Sequence, residues 1–145
     1  MSVLKATRTT QWPVTAEFTW SWDDTMLNTS GASTDFKTAA AHVVDCIPLP
    51  VNAIVVGGEL SIETTFATVT TYAIIVGDAT STNRYLATAD RKAAGRTALV
   101  PTDFVSNGEN IRLTITPTGA DATAGKGALR VSYIIRGRAT EVLIV

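Results

Sequence analysis

The tract from Trp12 to Trp22 alternates apolar and polar side chains over eleven residues, and it constrains the fold more than any other feature of the sequence. Its even positions are all apolar: Trp12, Val14, Ala16, Phe18, Trp20 and Trp22. Alternation with a period of two predicts a β-strand with one buried face and one solvated face. Pro13 predicts an edge position or a late entry into the sheet, because proline cannot donate to the hydrogen-bond ladder.

Three tryptophans on one strand face allow three interpretations. They can form core, they can form an interface with a partner chain, or they can form an aromatic platform for a sugar. Three indole rings on the inner face of a small sandwich would overfill its core. We therefore expect Trp20 in the core and Trp12 or Trp22 at its edge, beneath a partner chain, with the sugar platform as the alternative.

Further short tracts, separated by turn residues, predict strands at 41–47, 54–66, 69–77, 98–100, 110–116 and 128–135. One face of the 54–66 tract is expected to be buried: Ile54, Val56, Gly58, Leu60, Ile62 and Phe66. The adjacent Gly57 and Gly58 predict a bulge or a bend in this strand. Residues 83–95 are the least strand-like stretch, and we expect one or two helical turns there, ending at Gly95.

About eight short strands without a long helix predict an all-β, antiparallel β-sandwich of jelly-roll type with extended terminal arms. The 24 threonines and 14 valines among 145 residues fit this prediction, since β-branched residues favour strands. A chain of this length holds one domain. We assign residues 1–11 to an N-terminal arm, residues 12–138 to the β-sandwich domain and residues 139–145 to a C-terminal arm.

A single cysteine and a single histidine limit the chemistry of the chain. His42 and Cys46 act as base and nucleophile only within hydrogen-bond reach, which is about 3 Å. Four residues apart on one strand, they are separated by about 13 Å. Glu59 and Glu63 are separated by the same distance of about 13 Å, too far for a pair of glycosidase carboxylates. We expect no enzymatic activity, no metal site and no cofactor.

The net charge of −1 conceals an uneven distribution. Residues 11–80 carry eight acidic side chains and one basic side chain, whereas residues 81–145 carry nine basic and five acidic ones. Either the two parts attract each other within one domain, or basic ends meet acidic neighbours in an assembly. The near-zero total gives no reason to expect nucleic acid or an anionic membrane as a partner. The N-terminus shows no apolar signal segment, so we expect a soluble chain that is not secreted by the usual route.

The C-terminus carries four consecutive apolar side chains: Val142, Leu143, Ile144 and Val145. An unpaired apolar strand end promotes aggregation in water. We therefore expect this segment to pair, either with the sheet of its own chain or with a neighbouring chain by strand addition. Both alternatives are open at this point.

Several segments between residues 43 and 139 resemble the capsid cement, or decoration, proteins of short-tailed bacteriophages. The segments are IPLPVNAIVVGG from Ile47, VGDA from Val76 with NRYL from Asn83, AGRTALVPT from Ala94 and LRVSYIIRGRA from Leu129. The resemblance lies in the sequences of these segments and in their order along the chain. It does not extend to the first 40 residues. No motif of that family transfers a binding residue to this chain.

The resemblance implies a jelly-roll subunit on the outer surface of a phage head, made in the host cytoplasm. Such a subunit bridges neighbouring major capsid proteins and stabilises the expanded shell, commonly as a homo-oligomer such as a dimer or trimer. No nucleic acid, membrane or small-molecule substrate is expected as a partner. The alternative is a carbohydrate- or receptor-binding jelly-roll module of a phage tail or fibre.

Exposed arginine and aromatic side chains are typical interface anchors. For a capsid or subunit interface we therefore expect, besides the apolar C-terminal residues, these side chains: Trp12, Trp22, Arg84, Tyr85, Arg136 and Arg138.

Overall fold

Eleven β-strands make up the secondary structure of residues 12–137, which are the residues that the structure, a computed structural model, describes. They are β1 (Val14–Ser21), β2 (Thr25–Leu27), β3 (Ser33–Asp35), β4 (His42–Ile47), β5 (Val51–Ala67), β6 (Thr71–Gly77), β7 (Leu86–Asp90), β8 (Gly95–Ala98), β9 (Val105–Asn107), β10 (Ile111–Thr118) and β11 (Ala124–Ile135). None of these residues belongs to a helix that is long and apolar enough to cross a membrane.

The strands form two antiparallel sheets and one small hairpin. The first sheet has the order β1-β11-β5-β8, with β9 also paired to β5, and the second has the order β4-β10-β6-β7. The hairpin β2–β3 lies in the connection between the sheets. Leaving out the hairpin and counting β8 and β9 as one strand gives eight principal strands, which we number 1 to 8 in chain order. Within residues 12–137 they are arranged as 1-8-3-6 in the first sheet and 2-7-4-5 in the second. This is the jelly-roll order, so the predicted fold class is confirmed.

The strand β7 occupies the stretch in which helical turns were expected, and that expectation is wrong. Leu86 is buried and pairs with Val76 of β6, while Ala89 pairs with Ile74. Pairing to the edge of the second sheet satisfies the backbone groups that a helical turn would otherwise satisfy internally.

A bulge divides β5 and reverses which side chains point inward. Val55 pairs with Tyr133 and Gly57 pairs with Ser132, so Val56 is the extra residue. Val55 is 1% exposed whereas Val56 is 41% exposed. The predicted bulge is confirmed. The predicted burial of Ile54 and Val56 is wrong, because one extra residue shifts the alternation by one position and puts both side chains on the outer face. The predicted inner positions beyond the bulge are buried: Leu60, Ile62 and Phe66.

Aromatic rings fill the centre of the sandwich above glycines of β11. Trp20 is 1% exposed, as predicted for the core, and lies opposite Gly127. A Cβ atom on Gly127 would overlap the indole ring of Trp20, and one on Gly125 would overlap the ring of Phe66. Phe66 in turn stacks on Tyr72, with ring centroids 3.7 Å apart. The absence of side chains at two positions of β11 thus creates the space for two large rings.

The first and last strands of the domain are neighbours, which places both chain ends together. β1 is the edge strand of the first sheet, as Pro13 predicted, and its Val14 pairs with Tyr133 of β11. Arg136 then donates its backbone N–H to the Asn52 carbonyl, 2.8 Å away. We call this end of the sheet, with Trp12 and Arg136, the terminal corner. The predicted arms, residues 1–11 and 139–145, lie outside the described residues.

Replacing Gly127 with alanine tests the clearance beneath Trp20. Overpacking of this kind is expected to lower the free energy of unfolding by about 1–3 kcal/mol. Gly57→Ala is the matched control, because a Cβ atom there meets nothing within 4 Å. Its expected effect is within about 0.5 kcal/mol. Urea unfolding of both variants measures the difference, and equal stabilities would show that Trp20 does not depend on this clearance.

Candidate functional site

A ladder of alternating charges crosses one half of the outer face of the first sheet. Arg130 of β11 lies directly between Glu17 of β1 and Glu59 of β5 in the strand register. Its Nε lies 2.6 Å from a Glu17 carboxylate oxygen, and another of its nitrogens lies 2.9 Å from Glu59. Glu59 also accepts two hydrogen bonds of 2.8 Å from Arg96, next to β5 in β8. We call these residues, with Glu63 and Lys126, the charged half of this face.

The ladder shifts the pKa values of two of its members, Glu59 and Arg130. Hydrogen bonds from Arg96 and Arg130 hold the pKa of Glu59 below its usual range. Hydrogen bonds to Glu17 and Glu59 raise the pKa of Arg130. Solvent screens each exposed pair, so the ladder contributes more to the strand register than to stability.

The ion pairs explain the uneven charge distribution of the sequence. Among residues 12–137, every ion pair between a Lys or Arg and an Asp or Glu joins an acid from residues 11–80 to a base from residues 81–145. The second sheet follows the same rule, because Arg112 of β10 bonds Asp45 of β4 at 2.9 Å. The interpretation that the two parts of the chain attract each other within one domain is therefore confirmed. These charges are engaged before any partner binds.

The other half of the same outer face is apolar. Ile134, Ile54 and Val105 lie opposite one another across β11, β5 and β9. Val56 at the bulge and Val51 at the start of β5 extend the row, and they are 41% and 58% exposed. We call these five residues the apolar half. It lies toward the terminal corner, since Ile134 is the last residue but one of β11.

The predicted anchors Arg84 and Tyr85 lie in the connection between β6 and β7, where both make contacts within the chain. The guanidinium of Arg84 binds the Asp78 carboxylate and lies over the ring of Phe104, 3.5 Å from its centroid. Tyr85 is only 2% exposed, and burial raises its pKa to about 12. The expectation that Tyr85 is an exposed anchor is wrong, because its backbone bridges Val76 and Val100 and draws the side chain into the core.

Asp78 organises this connection. Its side chain is 4% exposed and accepts hydrogen bonds from Arg84, Thr80 and the backbone of Ser81. Burial raises the pKa of the carboxyl group, but the hydrogen bonds, that from Arg84 foremost, outweigh burial and hold the pKa below its ordinary value. A buried carboxylate joined to an arginine in this way fixes a loop and is no free docking group.

Of the remaining predicted interface residues, Trp12 and Arg136 share the terminal corner, whereas Trp22 lies away from them. Trp12 is 88% exposed at the terminal corner, beside the exposed Arg136. Trp22 lies at the other end of β1, where it is half-buried against the core. Trp20 between them is buried, so the three tryptophans do not form an exposed aromatic row. Outside the described residues lie Arg138, Val142, Leu143, Ile144 and Val145.

His42 and Cys46 lie on the same strand, β4, and bind different groups. The ring of His42 hydrogen-bonds the Thr34 hydroxyl at 2.6 Å and the Thr38 carbonyl at 2.8 Å. Cys46 donates to the Ile111 carbonyl at 3.3 Å, and burial raises the pKa of its thiol to about 12. A thiol with that pKa is a poor nucleophile at neutral pH. Within residues 12–137, no group of three or more His, Cys, Asp or Glu side chains could hold a metal ion.

Solved structures of phage capsids contain chains with this arrangement of strands. A chain of the cyanophage Pam1 capsid asymmetric unit matches with a TM-score of 0.58 and 21% identity, over 92% of this chain and 94% of that chain. A chain of the acidic stable capsid structure of Helicobacter pylori bacteriophage KHP30 matches with a TM-score of 0.51 and 21% identity, over 83% and 92%. A chain of the Ralstonia phage GP4 capsid matches with a TM-score of 0.55 and 15% identity, over 92% and 89%.

No protein-family model matches the chain, and no curated protein matches its sequence. At 15–21% identity, the likeness to the three capsid chains establishes the fold. The protein thus belongs to the all-β jelly rolls, and its fold is one that chains of these three phage capsids share.

Asp78→Asn tests the loop contact. The asparagine cannot form the charged pair with Arg84, so the variant is expected to lose about 1.5–3 kcal/mol of stability at pH 7. Because the folded-state pKa of Asp78 is lowered, its contribution is fully present above the unfolded-state pKa of about 3.9 and is lost as the pH falls through the lower folded-state pKa.

Urea unfolding of the variant and the natural chain at pH 7 and pH 3 checks this expectation. The difference between them should shrink at the lower pH. Asp23→Asn, which removes the same charge from an exposed turn, is the control and should change little. A difference independent of pH would contradict the role of the Asp78 charge.

Proposed function

We propose that this chain is a non-enzymatic structural protein of a bacteriophage virion. In this proposal it binds the outer surface of the head, bridges neighbouring major capsid proteins and stabilises the expanded shell. The observation that carries the proposal is the jelly-roll fold, shared over more than four fifths of this chain with chains in three phage capsid structures. The resemblance of residues 43–139 to capsid cement proteins supports the same role.

Such a role needs only binding energy. A protein that binds the assembled lattice more tightly than isolated capsid subunits shifts the equilibrium toward the shell. Contacts that are weak at one site gain avidity when two or three linked copies engage neighbouring capsid subunits. The proposal therefore includes assembly of the chain with itself as a dimer or trimer.

The terminal corner is the contact region that we propose for the capsid. Trp12 is the most exposed of the large apolar side chains among residues 12–137, and a large aromatic side chain buries more surface on binding than any aliphatic one. Arg136 is exposed beside it, and Arg138 follows two residues later. Ion pairs within the domain engage much of the remaining charge, which leaves this corner better suited to a partner.

The alternative, a glycan-binding module of a tail or fibre, has less support. It requires a row of exposed aromatic rings on a single subunit. Trp20 is buried and Trp22 is half-buried at the far end of β1, so only Trp12 offers an open ring face along this strand.

Co-sedimentation with heads tests the proposal. Purified protein is mixed with empty expanded heads of the parent phage that lack it, and the bound copies per head are counted. We expect saturable binding of many copies per head. Absence of binding, or a handful of copies, would contradict the role in the shell.

The Trp12→Ala variant tests the terminal corner separately from the function. Removing an anchor side chain costs upward of about 1.4 kcal/mol of binding, which is a tenfold loss of affinity. Leu27→Ala is the control, because Leu27 is 64% exposed but lies beyond the opposite end of β1. Binding of Trp12→Ala equal to that of the natural chain would exclude the corner while leaving the function in place.

A further inference from the structure

The apolar half of the first sheet exposes apolar side chains, which gain free energy when another segment buries them. Its five side chains are all β-branched, and three of them form one row across three adjacent strands: Val51, Ile54, Val56, Val105 and Ile134. At strand spacings of about 4.8 Å this row is about 10 Å wide. Val51 to Val56 lies opposite fewer than four residues of β9 and β11, because β5 bulges twice there, and extends the row about 12 Å along the strand. These five side chains form one contiguous apolar patch, unlike apolar side chains that are exposed singly.

The C-terminal segment has the composition to cover it. Residues 142–145 are Val-Leu-Ile-Val, and four residues in an extended conformation are about 13 Å long, close to the length of the apolar half. The N-terminal segment also begins at the terminal corner, but residues 1–11 contain no run of more than two apolar side chains. Of the two terminal segments, only the C-terminal one has a run of apolar side chains that matches the apolar half.

The chain leaves the sheet close enough for its own end to return. Gly137 has a φ of 92°, a left-handed conformation that suits a change of chain direction just after β11. It lies three residues past Ile134, roughly 10 Å along the strand direction. The eight residues that follow span about 26 Å when extended, so they reach back across the apolar half with length to spare.

The strand pairing of β11 determines how that return is made. From Ala128 to Tyr133, β11 is bonded on one side to β1 and on the other to β5. The end of the chain therefore cannot fold back as a hairpin partner along that stretch of β11. The outer face of the sheet and the free edge of β1 remain within reach, and the exposed apolar side chains lie on the outer face.

We propose that residues 142–145 pack over the apolar half of their own chain. A tether of this length gives the segment an effective concentration in the millimolar range at that surface. A second copy of the chain at micromolar concentration competes poorly against it. The proposal concerns the free chain, and it stands or falls independently of the role in the phage head.

Disulfide trapping in the full chain tests this contact. Val56→Cys combined with Leu143→Cys places one thiol in the apolar half and one in the segment. Oxidised glutathione supplies the oxidant: two thiols lose two protons and two electrons, one S–S bond forms, and two molecules of reduced glutathione leave. Burial raises the thiol pKa of the natural Cys46 to about 12, which slows its oxidation at neutral pH, and the natural chain, which carries Cys46 alone, is run beside both pairs.

At micromolar protein concentration we expect a monomeric cross-linked product, identified on a non-reducing gel and by a mass two hydrogens lower. The control pair, Leu27→Cys with Leu143→Cys, uses an exposed position beyond the opposite end of β1 and is expected to react at least about tenfold more slowly, as effective concentration falls with distance. A disulfide-linked dimer as the main product would overturn the proposal in favour of a second copy. Equal rates for the two pairs would also overturn it.

A second variant keeps the test independent of engineered thiols. Val56→Asp places a charge in the apolar half, at a position already 41% exposed, so the fold is expected to tolerate it. The expected result is release of the last four residues by carboxypeptidase at least about tenfold faster than from the natural chain, because an open segment is cleaved in proportion to its population. Leu27→Asp should leave the rate unchanged. An unchanged rate for Val56→Asp would overturn the proposal.

Discussion

The pairing of β11 with β1 on one side and β5 on the other is the interaction on which the rest of the structure depends. It joins the last strand to the first and third principal strands and thereby completes the first sheet. The same strand supplies Gly125 and Gly127, whose missing side chains make room for Phe66 and Trp20. Arg130 on its other face joins the acids of β1 and β5. The strand register, the packing of the core and the pairing of surface charges therefore all depend on β11.

The charge pattern gains a physical meaning from this arrangement. An acidic first part and a basic second part of a chain could steer copies of the protein toward one another. Here the jelly-roll order interleaves strands from the two parts, because β11 and β8 flank β5 in one sheet and β10 lies beside β4 in the other. The opposite charges consequently meet inside one domain. These charges are therefore largely engaged within the domain, whereas Trp12 leaves a large aromatic side chain exposed.

Alternation in the sequence was enough to predict strands near β1, β4, β5, β6, β10 and β11, the burial of Trp20 and the sandwich of jelly-roll type. It was insufficient where tertiary contacts decide the outcome. The bulge at Val56 moves the buried face by one residue, and no local signal beyond the glycines gives its exact place. Tyr85 was expected at the surface because it lies in a long connection, yet its backbone bonds to Val76 and Val100 and its ring is buried. The apolar half escaped prediction because its members come from three strands distant in the sequence.

The common position of the two chain ends is a consequence of topology. In a jelly roll with the 1-8-3-6 order, the first and last strands are antiparallel neighbours, so the start of one lies beside the end of the other. Terminal segments of such a domain share one corner whatever their sequences are. What the sequence adds here is a difference between them, a polar segment before Trp12 and an apolar one after Arg138. In water an apolar segment gains from covering apolar surface within its reach, whereas a polar segment gains little. One corner can thereby hold both a contact within the chain and a contact with another protein.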